Sequence, residues 1–271
     1  MAIGLGTYAY FWRGSDEVPH PLKLEAMLEE TAELGGKVFQ ICYYPKVESC
    51  TPAELERLRQ RAEGLGIVLE LGTRGLETPL LFRYLELARA LDARFVRTLF
   101  NSATLNPSFD QAKELLERVL PRYAEHGVRI GLETYEQVPV QILIDMVEQV
   151  NSPSLGICLD PANTVAGLEM PRDVINRTAP HVINLHVKDF AFRRREGWVG
   201  FTLEGSPLGE GLLDYAYERL TVRPEERGIS QIIEHWLPWL SNAEETCRAE
   251  ADWTRTSIEY LIRASRGASA S

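Results

Sequence analysis

Short β-branched and aliphatic runs alternate with longer segments of helical period from one end of the chain to the other. A run of about four to eight apolar residues between turn signals reads as a strand, and apolar residues recurring at i, i+3 and i+4 read as one face of a helix. The strands predicted in this way are Ile3–Tyr8, Val38–Cys42, Val68–Gly72, Phe95–Leu99, Arg129–Glu133, Leu155–Asp160, Val182–Val187 and Gln231–Glu234. Between them lie helices over Leu22–Leu34, Pro52–Leu65, Pro79–Leu91, Phe109–His126, Val140–Val150, Met170–Ala179 and Leu213–Leu220, with Ala243–Ile262 after the last strand. One start is explicit. Thr51-Pro52-Ala53-Glu54 supplies a capping hydroxyl, a proline at the first helical position and a carboxylate at the third, so orphan amides find acceptors.

Eight βα units in one series within 271 residues fit a closed (β/α)8 TIM barrel better than an open doubly wound sheet. No linker rich in Pro, Gly or Ser and no solenoid repeat interrupts the series. Residues 1–265 therefore read as one domain, and residues 266–271 as a disordered tail. The long segment 189–212, between the seventh strand and its helix, carries Phe190, Phe192, Arg193, Arg194, Arg195, Trp198 and Phe201. Loops of that length are usually functional or disordered, and these aromatic residues argue for packing over something rather than a floppy excursion, so the segment is expected to act as a lid-like loop.

Charge narrows the field of partners. With 39 acidic against 29 basic side chains the net charge is −10, which disfavours nucleic acid and anionic membrane surfaces, since clustered Lys and Arg hold both. The opening residues lack a basic segment followed by a sustained apolar one, and no apolar stretch approaches the ~18 residues of a membrane span, so a cytoplasmic location is expected. Cys42, Cys50, Cys158 and Cys247 include no CxxC pair and read as reduced structural thiols.

In a barrel of this kind the active site lies where the strands end. The fifth predicted strand closes on Glu133, the sixth on Asp160 and the eighth on Glu234, while the seventh carries His186 near its end. Carboxylates are rarely buried unless paired or metal-bound, and four consecutive strand ends place three of them and an imidazole around one point. That mixed oxygen and nitrogen set suits Mn²⁺, Mg²⁺, Co²⁺ or Zn²⁺ over a thiolate-seeking metal.

The series Gly131-Leu132-Glu133, Leu159-Asp160-Pro161-Ala162-Asn163, Leu185-His186-Val187-Lys188-Asp189, Pro207-Leu208-Gly209-Glu210-Gly211 and Ile233-Glu234 resembles the xylose-isomerase-like barrel superfamily. These sugar phosphate isomerases and epimerases share their fold with apurinic endonucleases. The resemblance implies that Glu133, Asp160, His186 and Glu234 are metal ligands and that Glu133 and Glu234 are also the catalytic carboxylates that move protons. Within the superfamily, the stretch from Trp198 to Asp214 and the opening Gly4-Leu5-Gly6-Thr7-Tyr8 look most like the 3-oxo-isoapionate decarboxylases. That likeness implies metal-dependent loss of CO₂ from a small 3-oxo sugar acid to leave a ketotetrose such as L-erythrulose. A metal-dependent sugar isomerase or ketose 3-epimerase is the alternative.

Departures from other members favour the first reading. Ketose 3-epimerases of this fold place a His three positions after the strand-six Asp and an Arg six after the strand-seven His, where this chain has Asn163 and Phe192. Hydroxypyruvate isomerases follow the strand-five Glu with Pro, and here it is Thr134. The endonucleases need many His ligands for three zinc ions, whereas this acidic chain has five His in all. Gly4-Leu5-Gly6 lacks the third glycine of a dinucleotide fingerprint.

A cation that holds a ketone oxygen and its neighbouring hydroxyl favours an enediolate whether the departing group is a proton or CO₂. Only the first case needs a carboxylate base; the second needs a proton donor afterwards. A sugar acid also needs a cation for its carboxylate, and Arg97, Lys188 and Arg193, with its neighbours Arg194 and Arg195, are the candidates. Each has an alternative role: Arg97 as partner of a barrel carboxylate, Lys188 as partner of Asp189, and the Arg run as a solvated loop. Tyr8, Trp12 and Trp236, with Tyr10, Phe11 and Trp239, are placed to wall a small pocket, and Asn163 beside Asp160 counts among the substrate contacts. The expected partner is a small sugar or sugar acid, and the exposed helices leave a homo-oligomer open.

Overall fold

The computed structural model describes residues 2–197 and 199–266. Strands β1 (Ile3–Gly6), β2 (Val38–Cys42), β3 (Val68–Gly72), β4 (Phe95–Thr98), β5 (Arg129–Glu133), β6 (Leu155–Leu159) and β7 (Val182–Val187) follow one another around a parallel wall. Strands β8 (Asp189–Arg194) and β9 (Phe201–Ser206) leave that wall as an antiparallel pair, and β10 (Ser230–Ile233) then pairs with both β7 and β1 to close the ring. The eight barrel strands are those the apolar runs predict. Helices cover the outside, and their apolar faces complete a core in which Leu5, Phe39, Leu71, Val96, Ile130 and Ile157 are buried. The Thr51 cap forms as read: Thr51 Oγ1 accepts from the Glu54 amide, and Glu54 Oε2 accepts from the Thr51 amide at 2.7 Å.

Strand period decides which side chains meet on the axis. The register pairs Arg97 with Gly131, Glu133 with Cys158, Cys158 with Asn184, and His186 with Ile232. Side chains two apart share a face, so Glu133 follows Gly131, His186 follows Asn184, and Asp160 and Glu234 follow Cys158 and Ile232 onto the inner face at the C-terminal rim. β1, β4, β6 and β10 each end before the residue predicted to close them. Asp160 lies just past β6, where it caps the short helix Pro161–Val165 by accepting from the Asn163 amide at 3.2 Å. Likewise β1 stops at Gly6, and Thr7–Tyr10 turn into a 3-10 helix across the barrel mouth.

The expected lid-like loop at 189–212 is largely a β-hairpin, with Asp189 paired to Ser206 and Arg194 to Phe201. Asp189 anchors its base: its carboxylate accepts from the amides of Phe190, Gly209, Gly211 and Leu213 at 2.8–3.0 Å. The hairpin returns to the rim at Gly205, whose amide donates to the Trp236 carbonyl at 3.0 Å. A Cβ there would lie 2.8 Å from the Trp236 backbone, so only glycine permits this approach. Trp198 lies outside the described residues, as does the expected tail apart from Arg266, which ends the last helix, Ala243–Arg266. Among the described residues no helix is long and apolar enough to cross a membrane, and all four cysteines are free.

Candidate active site

Glu133, Asp160, His186 and Glu234 each offer one ligand atom, and these four atoms lie within 4.8 Å of one another in a buried group. His186 Nδ1 faces all three carboxylates, at 3.3 Å from Glu133 Oε1, 3.5 Å from Glu234 Oε1 and 4.0 Å from Asp160 Oδ2. Its other nitrogen, Nε2, lies 2.8 Å from Gln40 Oε1. The Gln40 amide nitrogen donates to Glu70 Oε2 at 3.1 Å and Asn184 Oδ1 at 3.3 Å, so Oε1 is the atom left to accept. The network thereby assigns the proton to Nε2 and turns the Nδ1 lone pair toward the carboxylates, the arrangement of a metal-ligating histidine.

The donor set fits a divalent cation. His186 Nδ1 and Glu234 Oε1 are buried with no hydrogen-bond partner among the described residues, and such atoms are costly unless a ligand satisfies them. The converging group contains no cysteine, and burial pushes the Cys42 thiol up to about 12 and the Cys158 thiol well above its ordinary value. Nitrogen and carboxylate oxygen together accept Mg²⁺, Mn²⁺, Co²⁺ or Zn²⁺.

Two buried cations brace the carboxylates. Arg97 pairs with Glu133 and donates to the Thr73 carbonyl at 2.8 Å. Burial alone would raise the Glu133 carboxyl, but the Arg97 guanidinium, followed by His186, outweighs it and holds the group down at about 2. Lys188 Nζ lies 2.7 Å from Asp160 Oδ2, 3.1 Å from Glu234 Oε2 and 4.7 Å from the centre of the Trp236 ring. Burial disfavours its ammonium, yet Asp160 and Glu234 together keep it charged. Three carboxylates against these two cations leave one net negative charge, which a divalent ion would turn into one net positive charge.

The expected substrate contacts divide. Arg97, Lys188 and Asn163 reach the four donors, each engaged with a carboxylate: Asn163 Nδ2 donates to Glu133 Oε1 at 2.9 Å, and its Oδ1 accepts from Lys188 at 3.3 Å. The alternative of a Lys188–Asp189 pair is not realised, because Asp189 caps the backbone at the hairpin base. Arg193 is exposed on β8 and paired with Glu204 across the hairpin. Tyr8, Trp12 and Trp236 line a cleft of about 330 Å³ together with Leu203 and Glu204 of the hairpin. Trp12 is fixed there by donating from Nε1 to the Leu237 carbonyl at 2.7 Å. Tyr8 also borders a second cleft of about 310 Å³, shared with Tyr43 and Cys42.

Four polar residues of the site escape a reading of strand ends: Gln40, Glu70, Asn184 and Arg74. The first three form the hydrogen-bonded layer beneath His186, with Asn184 Nδ2 donating to Glu70 Oε2 at 2.9 Å. Part of their signal was present: Gln40 and Glu70 are each the one polar residue of an otherwise apolar strand, while Asn184 lies two residues before His186 in β7 and so on the same face.

A family model described as xylose isomerase-like TIM barrel matches residues 28–261. The chain is 62% identical over 261 residues, 96% of its length and 95% of the relative's, to a protein of Pectobacterium atrosepticum named 3-oxo-isoapionate decarboxylase. A likeness of that extent shows that the chain is an enzyme. Among solved structures, D-psicose 3-epimerase of Clostridium cellulolyticum H10 with D-tagatose superposes with a TM-score of 0.74 at 15% identity, covering 98% of this chain and 99% of that one. A xylose isomerase-like TIM barrel protein of Mycobacterium smegmatis in complex with magnesium gives 0.68 at 16% identity, covering 95% and 96%. At such low identity these two likenesses concern the fold.

Proposed function

The chain belongs to the xylose isomerase-like TIM barrel family, and we propose that it is a divalent-metal-dependent decarboxylase of a small 3-oxo sugar acid of the 3-oxo-isoapionate type. The products are CO₂ and a ketotetrose such as L-erythrulose, formed in the cytoplasm. The observation that carries this reading is the near-full-length likeness to a decarboxylase named for that substrate. The convergence of four buried donors supports the metal dependence.

Glu133, Asp160, His186 and Glu234 would hold the cation, which when bound would draw electron density from a ketone oxygen and the hydroxyl beside it. In the reaction the bond from the carboxylate to its neighbouring carbon breaks, CO₂ leaves, and the electron pair passes into an enediolate with the ketone. That carbon must then take up a proton. Glu234, kept ionised beside His186 and beside Lys188 at 3.1 Å, is assigned the transfer, relaying to that carbon a proton that comes from water or a substrate hydroxyl. Glu133 is the second catalytic carboxylate, kept ionised by Arg97 so that it accepts from a substrate hydroxyl. The hairpin, seated on Trp236, and the side chains of Tyr8 and Trp12 would wall the bound substrate at the mouth of the barrel.

The test is a carbon balance. Incubation with 3-oxo-isoapionate and a divalent salt should give CO₂ and ketotetrose in equal amounts. An isomerase or 3-epimerase would instead carry solvent deuterium into a ketose with no loss of carbon, and that outcome would overturn the proposal.

A further inference from the structure

We propose that Arg74 binds the substrate carboxylate, a role that rests on the decarboxylase reading above. The backbone after β3 continues its ladder with β4, since the Thr73 amide donates to the Arg97 carbonyl at 2.8 Å and the Gly75 amide to the Leu99 carbonyl at 3.2 Å. Gly72 is paired with the inward-facing Arg97, so strand alternation carries Arg74, two residues on, to the same face about 6.6 Å nearer the mouth. Its guanidinium stacks 3.7 Å from the centre of the Tyr43 ring and donates to the Tyr8 hydroxyl. Tyr8 and Tyr43 border the clefts at the barrel mouth.

What sets Arg74 apart is its lack of an acidic partner. Arg97 is taken by Glu133, Lys188 by Asp160 and Glu234, Arg193 by Glu204, and Arg13 by Glu30 and Glu250. Among the described residues no carboxylate forms an ion pair with Arg74, and its Nε is buried with no hydrogen-bond partner. A guanidinium held flat on an aromatic ring keeps its donor fork in a fixed plane, which matches the two oxygens of a carboxylate. Burial of burial-averse donors without acceptors is offset when a ligand supplies them. With a divalent ion at the four donors the centre also carries net positive charge, so it favours an anionic substrate over a neutral ketose.

The experiment compares a charged and an uncharged ligand that do not react. Isothermal titration of the metal-loaded enzyme uses isoapionate, the 3-hydroxy acid that cannot lose CO₂, and L-erythrulose, the neutral ketotetrose. Arg74→Met should weaken isoapionate binding by about 10–100-fold, the scale of a lost charged hydrogen bond, and leave erythrulose binding within about twofold. Arg74→Lys, which keeps the charge and loses the fork, should fall between and covers the case in which the Met variant does not fold. Equal losses for both ligands, no loss for either, or a wild type that binds the acid no better than the ketose would overturn the assignment. Failure of the decarboxylase reading shows separately, as an absence of CO₂ from 3-oxo-isoapionate with wild type, whatever Arg74 does to isoapionate.

Discussion

Gln40 and His186, from strands three places apart around the ring, meet in a 2.8 Å contact between Gln40 Oε1 and His186 Nε2. Because Gln40 is itself pinned by Glu70 and Asn184, this contact fixes both the ring orientation and the nitrogen that faces Glu133, Asp160 and Glu234. The imidazole is thus aimed from behind by a buried layer of hydrogen-bonded side chains.

Removing that support should loosen the metal without unmaking the barrel. Gln40→Leu is expected to weaken divalent-ion affinity by about 10–100-fold, the usual cost of losing the partner behind a ligating histidine. Calorimetric titration with Mn²⁺ measures it, and wild-type affinity in the variant would show that the network does not tune the ligand.

Glu234→Gln removes a candidate ligand and the proposed proton carrier in one step. Turnover should fall by at least about 100-fold, in keeping with the loss of general acid–base catalysis. The circular dichroism spectrum should stay that of wild type, and a wild-type rate would show the assignment to be wrong.

Glu218 is fully buried, and neither carboxylate oxygen has a hydrogen-bond partner among the described residues. Burial, with a further contribution from the Asp160 charge, pushes its carboxyl well above the ordinary range. A raised folded-state value means that the unfolded chain releases this proton first as pH rises. Stability is therefore lost from about pH 4.3, the unfolded glutamate value, up to the raised folded value. Glu218→Gln abolishes that loss, so urea melts should show the variant gaining on wild type as the pH rises above about 4.3. A stability difference that stays constant with pH would mean that Glu218 is not held protonated.

Gly205→Val tests the seat of the hairpin, because a side chain there would strike the Trp236 backbone. With β8 and β9 lifted from the rim, kcat/KM should drop by up to about 100-fold, the scale of a 1 Å misplacement at a reacting centre. The barrel's thermal melt should change little, since the hairpin is hydrogen-bonded outside the closed sheet. Unchanged kinetics would remove the hairpin from the site.

Periodicity along the chain was enough to place the barrel strands, because burial on both faces is a local property that each apolar run displays by itself. The same holds for the four donors, which stand out as ionisable residues at the ends of such runs. Which charges pair is a different matter. Lys188 adjoins Asp189 in the chain yet bonds Asp160 and Glu234, and Arg97 meets Glu133 on the next strand. Gln40, Glu70 and Asn184 gather from separate strands beneath His186. Arg74 acquires its place only through Tyr43 and Tyr8. Alternation sends a side chain inward, but the register with which the ring closes decides what it finds there, and that register belongs to the assembled barrel and to no single segment.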